Sequence, residues 1–213
     1  METFDFTINS FLSFTNKGND SSNLTELASH IMTNYCIYNG RYHYRPVEIE
    51  FYVYKKGEHE DRHVYPRIKN AKDIFFHYSG MDICFKTSEN KDCLGGILIR
   101  ALERDEDKQL FGGPLVCLNE VLNTAVLNTA TGILIVKEEP VKEPKNAKPF
   151  GQRVGINALP NIEDIFYKKE YRFIRSNLNE KSTFGLRTTY NYSNQEFKEI
   201  SNSYKLKRYT PKQ

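Results

Sequence analysis

The residues best placed to do chemistry fall in one short segment. From Val47 to Tyr54 apolar and polar residues alternate as Val-Glu-Ile-Glu-Phe-Tyr-Val-Tyr. On an extended strand this puts Glu48, Glu50, Tyr52 and Tyr54 on one face and Val47, Ile49, Phe51 and Val53 on the other. Carboxylates at i and i+2 lie about 7 Å apart. In a dry site two like charges that close resist ionising together, and one carboxyl can then serve as general acid or base near neutral pH. On a wet face the same residues are ordinary acids with no chemical role. Arg100 raises a matching question, because it interrupts the apolar run from Ile97 to Leu102. A buried arginine needs an acidic partner, and Glu48, Glu50 and Glu103 are the candidates. The result is either a structural ion pair or an arginine at the mouth of a site. Arg153, within GQRVGI, poses the same choice. His63 follows Glu58, Glu60 and Asp61; it is either held near a pocket by a carboxylate or simply exposed on a loop.

The surrounding sequence must supply the elements that position these groups. Asn23 and Glu26 form a capping-box pair ahead of Leu24, Leu27, Ala28, Ile31 and Met32, whose spacing predicts a helix with one buried stripe. Residues 35–38 read as a strand, Asn39-Gly40 as a hairpin turn, and 44–54 as a second strand. Pro46 marks an edge or a bulge at the start of that strand. Residues 55–70 read as a polar loop, and 74–78 and 83–85 as short strands around Ser79-Gly80-Met81. Gly95-Gly96 leads into a strand, Gly113-Pro114 into a helix with Leu115, Leu118 and Leu122 on one face, and 132–136 is a further strand. The Lys/Glu/Pro-rich stretch 137–150 reads as an exposed loop. Short strands, two or three helices and no alternating strand–helix units predict an α+β fold: a mixed or antiparallel sheet with a few packed helices in a single domain. The expected organisation is a loosely ordered segment 1–22, the domain 23–176, and a basic extension 177–213.

Composition bounds the class. The chain has 213 residues with 39% hydrophobic and 13% aromatic content, enough to bury a core. The aromatics are 14 Tyr and 14 Phe without Trp, which suits strands and equally suits stacking on flat ligands. No apolar run approaches the roughly 18 residues of a membrane span, and the N-terminus lacks a basic start followed by an apolar stretch, so neither a membrane protein nor a secretory signal is expected. Cys36, Cys84, Cys93 and Cys117 show neither CxxC spacing nor adjacent histidines, so the expectation is reduced thiols in a cytoplasmic protein, with no metal site. The net charge of +3 is unevenly spread. Residues 168–213 hold 11 Lys+Arg against 4 Asp+Glu, and the first 167 hold 19 against 23. Such a tail can lie along phosphates or be a solvated terminus. Phosphate-loop, GxSxG, HExxH and dinucleotide-binding patterns do not occur, which sets aside the commonest cofactor enzymes.

In order along the chain, several segments resemble the alkyladenine (3-methyladenine) DNA glycosylases of the mammalian type. ELASHIMTNYCIYNGRYHYRPVEIEFY (26–52) is similar to the family's opening helix, turn and acidic strand. IFFHYSGMDICF (74–85) resembles its hairpin, GGILIRALE (95–103) its arginine-bearing strand, and GGPLVCL (112–118) its helix start. GQRVGI (151–156) and EYRFI (170–174) resemble its closing segments. The resemblance covers roughly residues 24–176. It implies a single glycosylase-like domain that uses no metal or cofactor, acts as a monomer on double-stranded DNA carrying a damaged base, and works wherever the DNA is: the cytoplasm, or the nucleus of a eukaryote. Such an enzyme flips a damaged purine from the duplex and hydrolyses its N-glycosidic bond with a water activated by glutamate.

By the same resemblance Glu50 is the catalytic acid and Arg100 contacts the catalytic water or a nearby phosphate, while Glu48 supports them. Tyr52, His63 and Phe76 stack on or hydrogen-bond the flipped base. Tyr78, Ser79, Gly80, Met81 and Arg153 face the DNA. Two departures stand out. Ser79 occupies the place of a wedging tyrosine and fills little of the gap left by a flipped base. Lys86 takes the place of an asparagine on the pocket floor, where an ammonium repels cationic alkylated purines. The departures leave three expectations: an active glycosylase with altered damage preference, a glycosylase-like nucleic-acid-binding protein with little or no excision, and an unrelated α+β protein.

Overall fold

In the computed structural model, which describes residues 4–15, 20–126, 134–159 and 165–178, the alternating segment lies at the centre of the sheet. The helices are α1 (Ile8–Thr15), α2 (Asp20–Asn34) and α3 (Pro114–Asn123). The strands are β1 (Tyr35–Tyr38), β2 (His43–Lys55), β3 (His59–Glu60), β4 (Ile74–His77), β5 (Gly80–Cys84), β6 (Cys93–Arg104), β7 (Leu110–Gly112), β8 (Ile135–Glu138), β9 (Ala147–Pro149) and β10 (Arg172–Arg175). Every pairing between these strands is antiparallel, and the main path runs β4-β5-β6-β2-β1-β8. The α+β class is as the sequence indicates, and of the mixed or antiparallel alternatives the sheet takes the second.

The position of β2 decides the character of its side chains. One edge pairs with β6 along almost its full length. The other edge is covered in turn by β1 at Tyr44, β10 at Glu48 to Glu50, and β3 at Tyr54 and Lys55. Glu48 and Glu50 therefore have strands on both sides and are fully buried. The wet face of ordinary acids is not what forms. Pro46 does mark a bulge: the β2–β6 register skips Val47 on one strand and then Arg100 on the other, after which the original register resumes. The bulges break the simple alternation. Val47 leaves the row of Ile49, Phe51 and Val53 and packs in a small second cluster with Ala101, Ile174 and Leu178. Arg100, the extra residue on β6, is turned toward the glutamates.

Three sequence expectations need correction. Residues 4–15 are not loosely ordered: Phe4, Phe6, Ile8, Phe11, Leu12 and Phe14 are buried in the main core. Ile8, Phe11 and Leu12 repeat at i, i+3 and i+4, and Phe11 packs its ring on Phe51, His59, Phe85 and Tyr171. Helix α2 begins at Asp20, one turn before Asn23; capping-type residues crowd this stretch, and the local sequence does not choose among them. Within 137–150 only the middle is loop, because β8 continues to Glu138 against β1 and β9 pairs with β10. The basic extension 177–213 lies outside the described residues beyond Leu178, which is buried. Among the described residues no helix is long and apolar enough to cross a membrane.

The N-terminal segment thus supplies part of the main core. Phe11→Ala is expected to cost about 3–5 kcal/mol of unfolding free energy, the usual penalty for emptying a buried aromatic site. Urea denaturation measures it, and a cost under about 1 kcal/mol would show that α1 is not part of the folded core.

Candidate active site

The site is built from β2 outward. Glu48 accepts hydrogen bonds from Arg100 Nε at 3.0 Å and Arg172 Nε at 2.9 Å, with Arg172 Nη2 at 2.8 Å. Arg172 stands opposite Glu50 in the β2–β10 ladder, so the sheet register itself brings the second guanidinium to the acids. Arg100 Nη1 also lies 3.3 Å from Glu50 Oε1. Glu103 is not involved; it pairs with Arg175 at 2.6 Å. The carboxylate of Glu50 is held at both oxygens. Oε1 accepts the Val154 backbone N–H at 2.8 Å, and Oε2 accepts the Tyr52 hydroxyl at 2.9 Å.

These partners give Glu48 and Glu50 different characters. Glu48 is bracketed by two guanidiniums and serves as their anchor. Burial pushes the Glu50 carboxyl above the ordinary glutamate value of 4.5, and Arg100, the Val154 N–H and the Tyr52 hydroxyl pull it partly back. Burial and the neighbouring Glu50 charge push the Tyr52 phenol well above its ordinary value, so it keeps its proton and remains a donor. The arrangement is a carboxylate with raised affinity for a proton, held in one orientation.

In front of Glu50 lies a cavity of about 610 Å³. Tyr52, Arg100 and Val154, which bond Glu50, are part of its wall. The remainder includes His63, Tyr65, Arg67, His77, Tyr78 and Asp82. Tyr78 and Ser79 form the two-residue tip of the β4–β5 hairpin and stand at the cavity rim, with the Tyr65 hydroxyl 3.5 Å from Ser79 Oγ. The backbone N–H of His63 donates to Asp61 Oδ1 at 3.1 Å, so the preceding acid fixes the turn that presents the imidazole. Of the residues singled out in the sequence, Arg100, Tyr52, His63, Tyr78 and Ser79 line this cavity; Glu50 does not, and lies behind the wall that its partners Tyr52, Arg100 and Val154 form.

The others do not. Phe76 lies outside the cavity and is 36% exposed; on β4 the alternation puts Phe75 and His77 on one side and Phe76 on the other. Lys86 is exposed, bonded through its N–H to the Phe6 carbonyl, and is not a pocket floor; Phe85 beside it is core and Thr87 bonds Lys69. Met81 is wholly buried in the main core and Gly80 is buried at the hairpin, so neither is presented at the surface. Gly80 has φ +140°, and a Cβ there would come within 2.7 Å of Pro114 Cβ, so the glycine lets the hairpin press on the start of α3. Arg153 is also interior. It donates to the Phe51 and Phe166 carbonyls at 3.1 and 2.8 Å, pairs with Asp61, and lies 4.5 Å over the Tyr52 ring. It braces Tyr52 from behind.

Several functional-site residues escape sequence reasoning. Arg172 reaches Glu48, and Val154 reaches Glu50, only through the closure of β10 and of the loop after β9. Arg67 sits in a polar loop with no pattern to mark it. His77 and Asp82 were within reach of strand alternation, had the hairpin tip been placed at Tyr78-Ser79. All four cysteines are free, and burial pushes the Cys36 and Cys84 thiols up to about 12, away from the reactive thiolate. In comparisons with known proteins, no family model and no curated protein matches the chain.

Glu48 is the anchor of two buried guanidiniums, so Glu48→Ala is expected to destabilise the fold by about 3–5 kcal/mol, the penalty for stranding buried charge. Chemical denaturation checks this, and a change under about 1 kcal/mol would show that Arg100 and Arg172 do not depend on it.

Proposed function

We propose that this protein is a monofunctional DNA N-glycosylase that draws a damaged base out of the duplex and hydrolyses its bond to the sugar. The observation that carries the reading is the buried carboxylate of Glu50, oriented by Tyr52, Val154 and Arg100 directly behind a cavity with aromatic walls. The volume of the cavity falls in the range that encloses small molecules. Tyr52, Tyr65, Tyr78 and His63 supply flat faces for a base.

The chemistry follows from the geometry. A base leaves with the electron pair of its glycosidic bond, and positive charge develops on the sugar. An ionised Glu50 stabilises that charge and takes a proton from a water as its oxygen bonds to C1′. Raised proton affinity makes Glu50 a better acceptor than an ordinary glutamate. Among the described contacts Oε2 accepts only the Tyr52 hydroxyl, which leaves a lone pair for that water. Arg100 favours the ionised form of the carboxylate against the effect of burial.

One observation favours a second reading. Ser79, exposed at the hairpin tip, is too small to fill the gap an extruded base leaves. A protein that binds nucleic acid in this way and excises slowly or not at all has the same cavity. The decisive assay scores abasic sites in duplexes carrying hypoxanthine, ethenoadenine or 3-methyladenine. Excision of at least one lesion is expected, with a fall of at least about 100-fold in Glu50→Gln, the contribution of a general base. Salt-dependent binding without excision on any lesion supports the second reading, and no binding at low salt removes both.

The pH dependence is a separate check. A protonated Glu50 cannot accept a proton, so single-turnover excision rises with pH, and burial places the midpoint above 4.5. Tyr52→Phe keeps the ring and removes a hydrogen bond that favours the anion, so the midpoint is expected to move further up. A midpoint that stays put or falls contradicts the role given to Tyr52.

A further inference from the structure

His59 is a buried titratable group that the hydrolytic chemistry leaves unused. It lies on β3, against the end of β2, and is 6% exposed. Its ring sits in an aromatic cage. Phe166 packs on it at 4.1 Å, Tyr171 stacks at 5.9 Å, and Phe11 stands at right angles at 6.2 Å. Both ring nitrogens are engaged. Nδ1 lies 2.8 Å from the Val53 carbonyl, which can only accept, so Nδ1 carries the proton. Nε2 lies 3.0 Å from the Tyr171 hydroxyl. In the neutral ring Nε2 accepts from that hydroxyl, and both hydrogen bonds form without any charge.

A second proton undoes this arrangement. It goes to Nε2, turns an acceptor into a donor, and makes the Tyr171 hydroxyl reverse or lose its bond. It also puts a charge among buried rings. Asp61 and Arg153 act on the ring through their charges. Asp61 favours the extra proton but is paired with Arg153, and Arg153 opposes it. Lys55, opposite His59 in the β2–β3 ladder, is paired with Glu58 and bonded to Asn9 of α1. On the segment bearing Phe166 and Tyr171, Lys168 and Glu170 are exposed. Burial is the largest influence and holds the imidazole below its ordinary value of 6.5.

The cage is tied to the site. Phe166 opens a short 3-10 helix, Phe166–Lys168, none of whose residues is fully buried. The Phe166 carbonyl accepts Arg153 Nη2 at 2.8 Å, and the Arg153 guanidinium lies 5.6 Å from the Tyr171 ring. The next residue, Val154, gives its N–H to Glu50. One path of contacts therefore runs from the imidazole through Phe166 and Arg153 to the carboxylate. Val154 and Gly155 are exposed, whereas β6 is buried along almost its full length, so this corner is the part that can open by itself.

We propose that His59 is a pH latch on the site: neutral, it holds Phe166, Arg153 and Val154 in place; protonated, it releases them, and Glu50 loses the Val154 N–H while the sheet stays folded. Above pH 6.5 the imidazole is mostly neutral whether the latch is open or closed, and the closed form keeps its full stability. Below that, the open form takes up a proton that the closed form resists, so opening grows as the pH falls. The limit at pH 5 is about 30-fold, that of a histidine that titrates only when open. The latch is set by the fold around His59 and is measurable whatever the cavity binds.

The experiment follows amide hydrogen exchange, corrected for the intrinsic effect of pH, from pH 7.5 to 5. It compares wild type with His59→Gln, whose side chain donates and accepts but does not titrate. Wild type is expected to lose about 10- to 30-fold of the protection at the Val154 amide, with less than about threefold change along β6. His59→Gln is expected to change by less than about threefold at both. Loss caused by protonation of Glu50 itself would appear equally in the two proteins, and such an equal loss overturns the proposal. Loss of protection along β6 together with Val154 is global acid unfolding and overturns it too. Imidazole nitrogen resonances of the wild type test the same claim without a variant. His59 is expected as the Nδ1–H tautomer at pH 7.5 and still mostly neutral at pH 6.5, where an ordinary histidine is half charged. The Nε2–H tautomer, or a charged ring while Val154 stays protected, overturns the latch.

Discussion

Two glutamates in the middle of a sheet of ten strands among the described residues would be intolerable without the guanidiniums beside them. Moving even one ionised carboxylate out of water costs several kcal/mol after relaxation, and an unpaired one protonates or disrupts the fold. Here Arg100 comes from β6 on one side and Arg172 from β10 on the other, and both meet at Glu48. Glu50, one step along the same strand, shares Arg100 and takes its remaining partners from Tyr52 and Val154. The division of labour follows from this spacing. The acid with two guanidiniums anchors them, and burial leaves Glu50 with a proton affinity above that of an ordinary glutamate.

The sheet is shaped around that network. The opposed irregularities at Val47 and Arg100 interrupt the β2–β6 ladder just where Glu48 lies, and they cancel, so the strands stay in register on either side. Without the extra residue on β6, strict alternation would place Arg100 differently with respect to Glu48 and Glu50. Arg153 works at longer range. It ties the loop after β9 to β2 through the Phe51 carbonyl and Asp61, and backs the ring of Tyr52. The same loop carries the Val154 N–H to Glu50. The residue expected to meet DNA instead keeps the carboxylate and its cavity wall in alignment.

What could be read from the sequence was local and periodic. The alternation of β2 past the bulge at Val47, the hairpin turn after β1 and the stripe of α2 survive in the structure because each is a property of neighbouring residues, and Arg100 does find its acid in Glu48. The failures share a cause. Whether Glu48 and Glu50 face water depends on β10, which is more than a hundred residues away in sequence. The burial of the N-terminal phenylalanines depends on a core that exists only once the sheet has formed. The exclusion of Phe76 and Met81 turns on the phase of one hairpin, where a one-residue slip exchanges faces and would hide His77 and Asp82 instead. Lys86 falls just past β5, where its N–H bonds to the Phe6 carbonyl and the strand no longer lines the cavity.

The most direct measurement of the account is a crystal structure of the Glu50→Gln protein with a duplex containing a hypoxanthine lesion. The account expects the base outside the helix, between the rings of Tyr52 and the facing aromatic wall, with a water within about 3 Å of the residue-50 side chain and in line with C1′. A base still stacked in the duplex, or DNA bound on a face remote from the cavity, would contradict it.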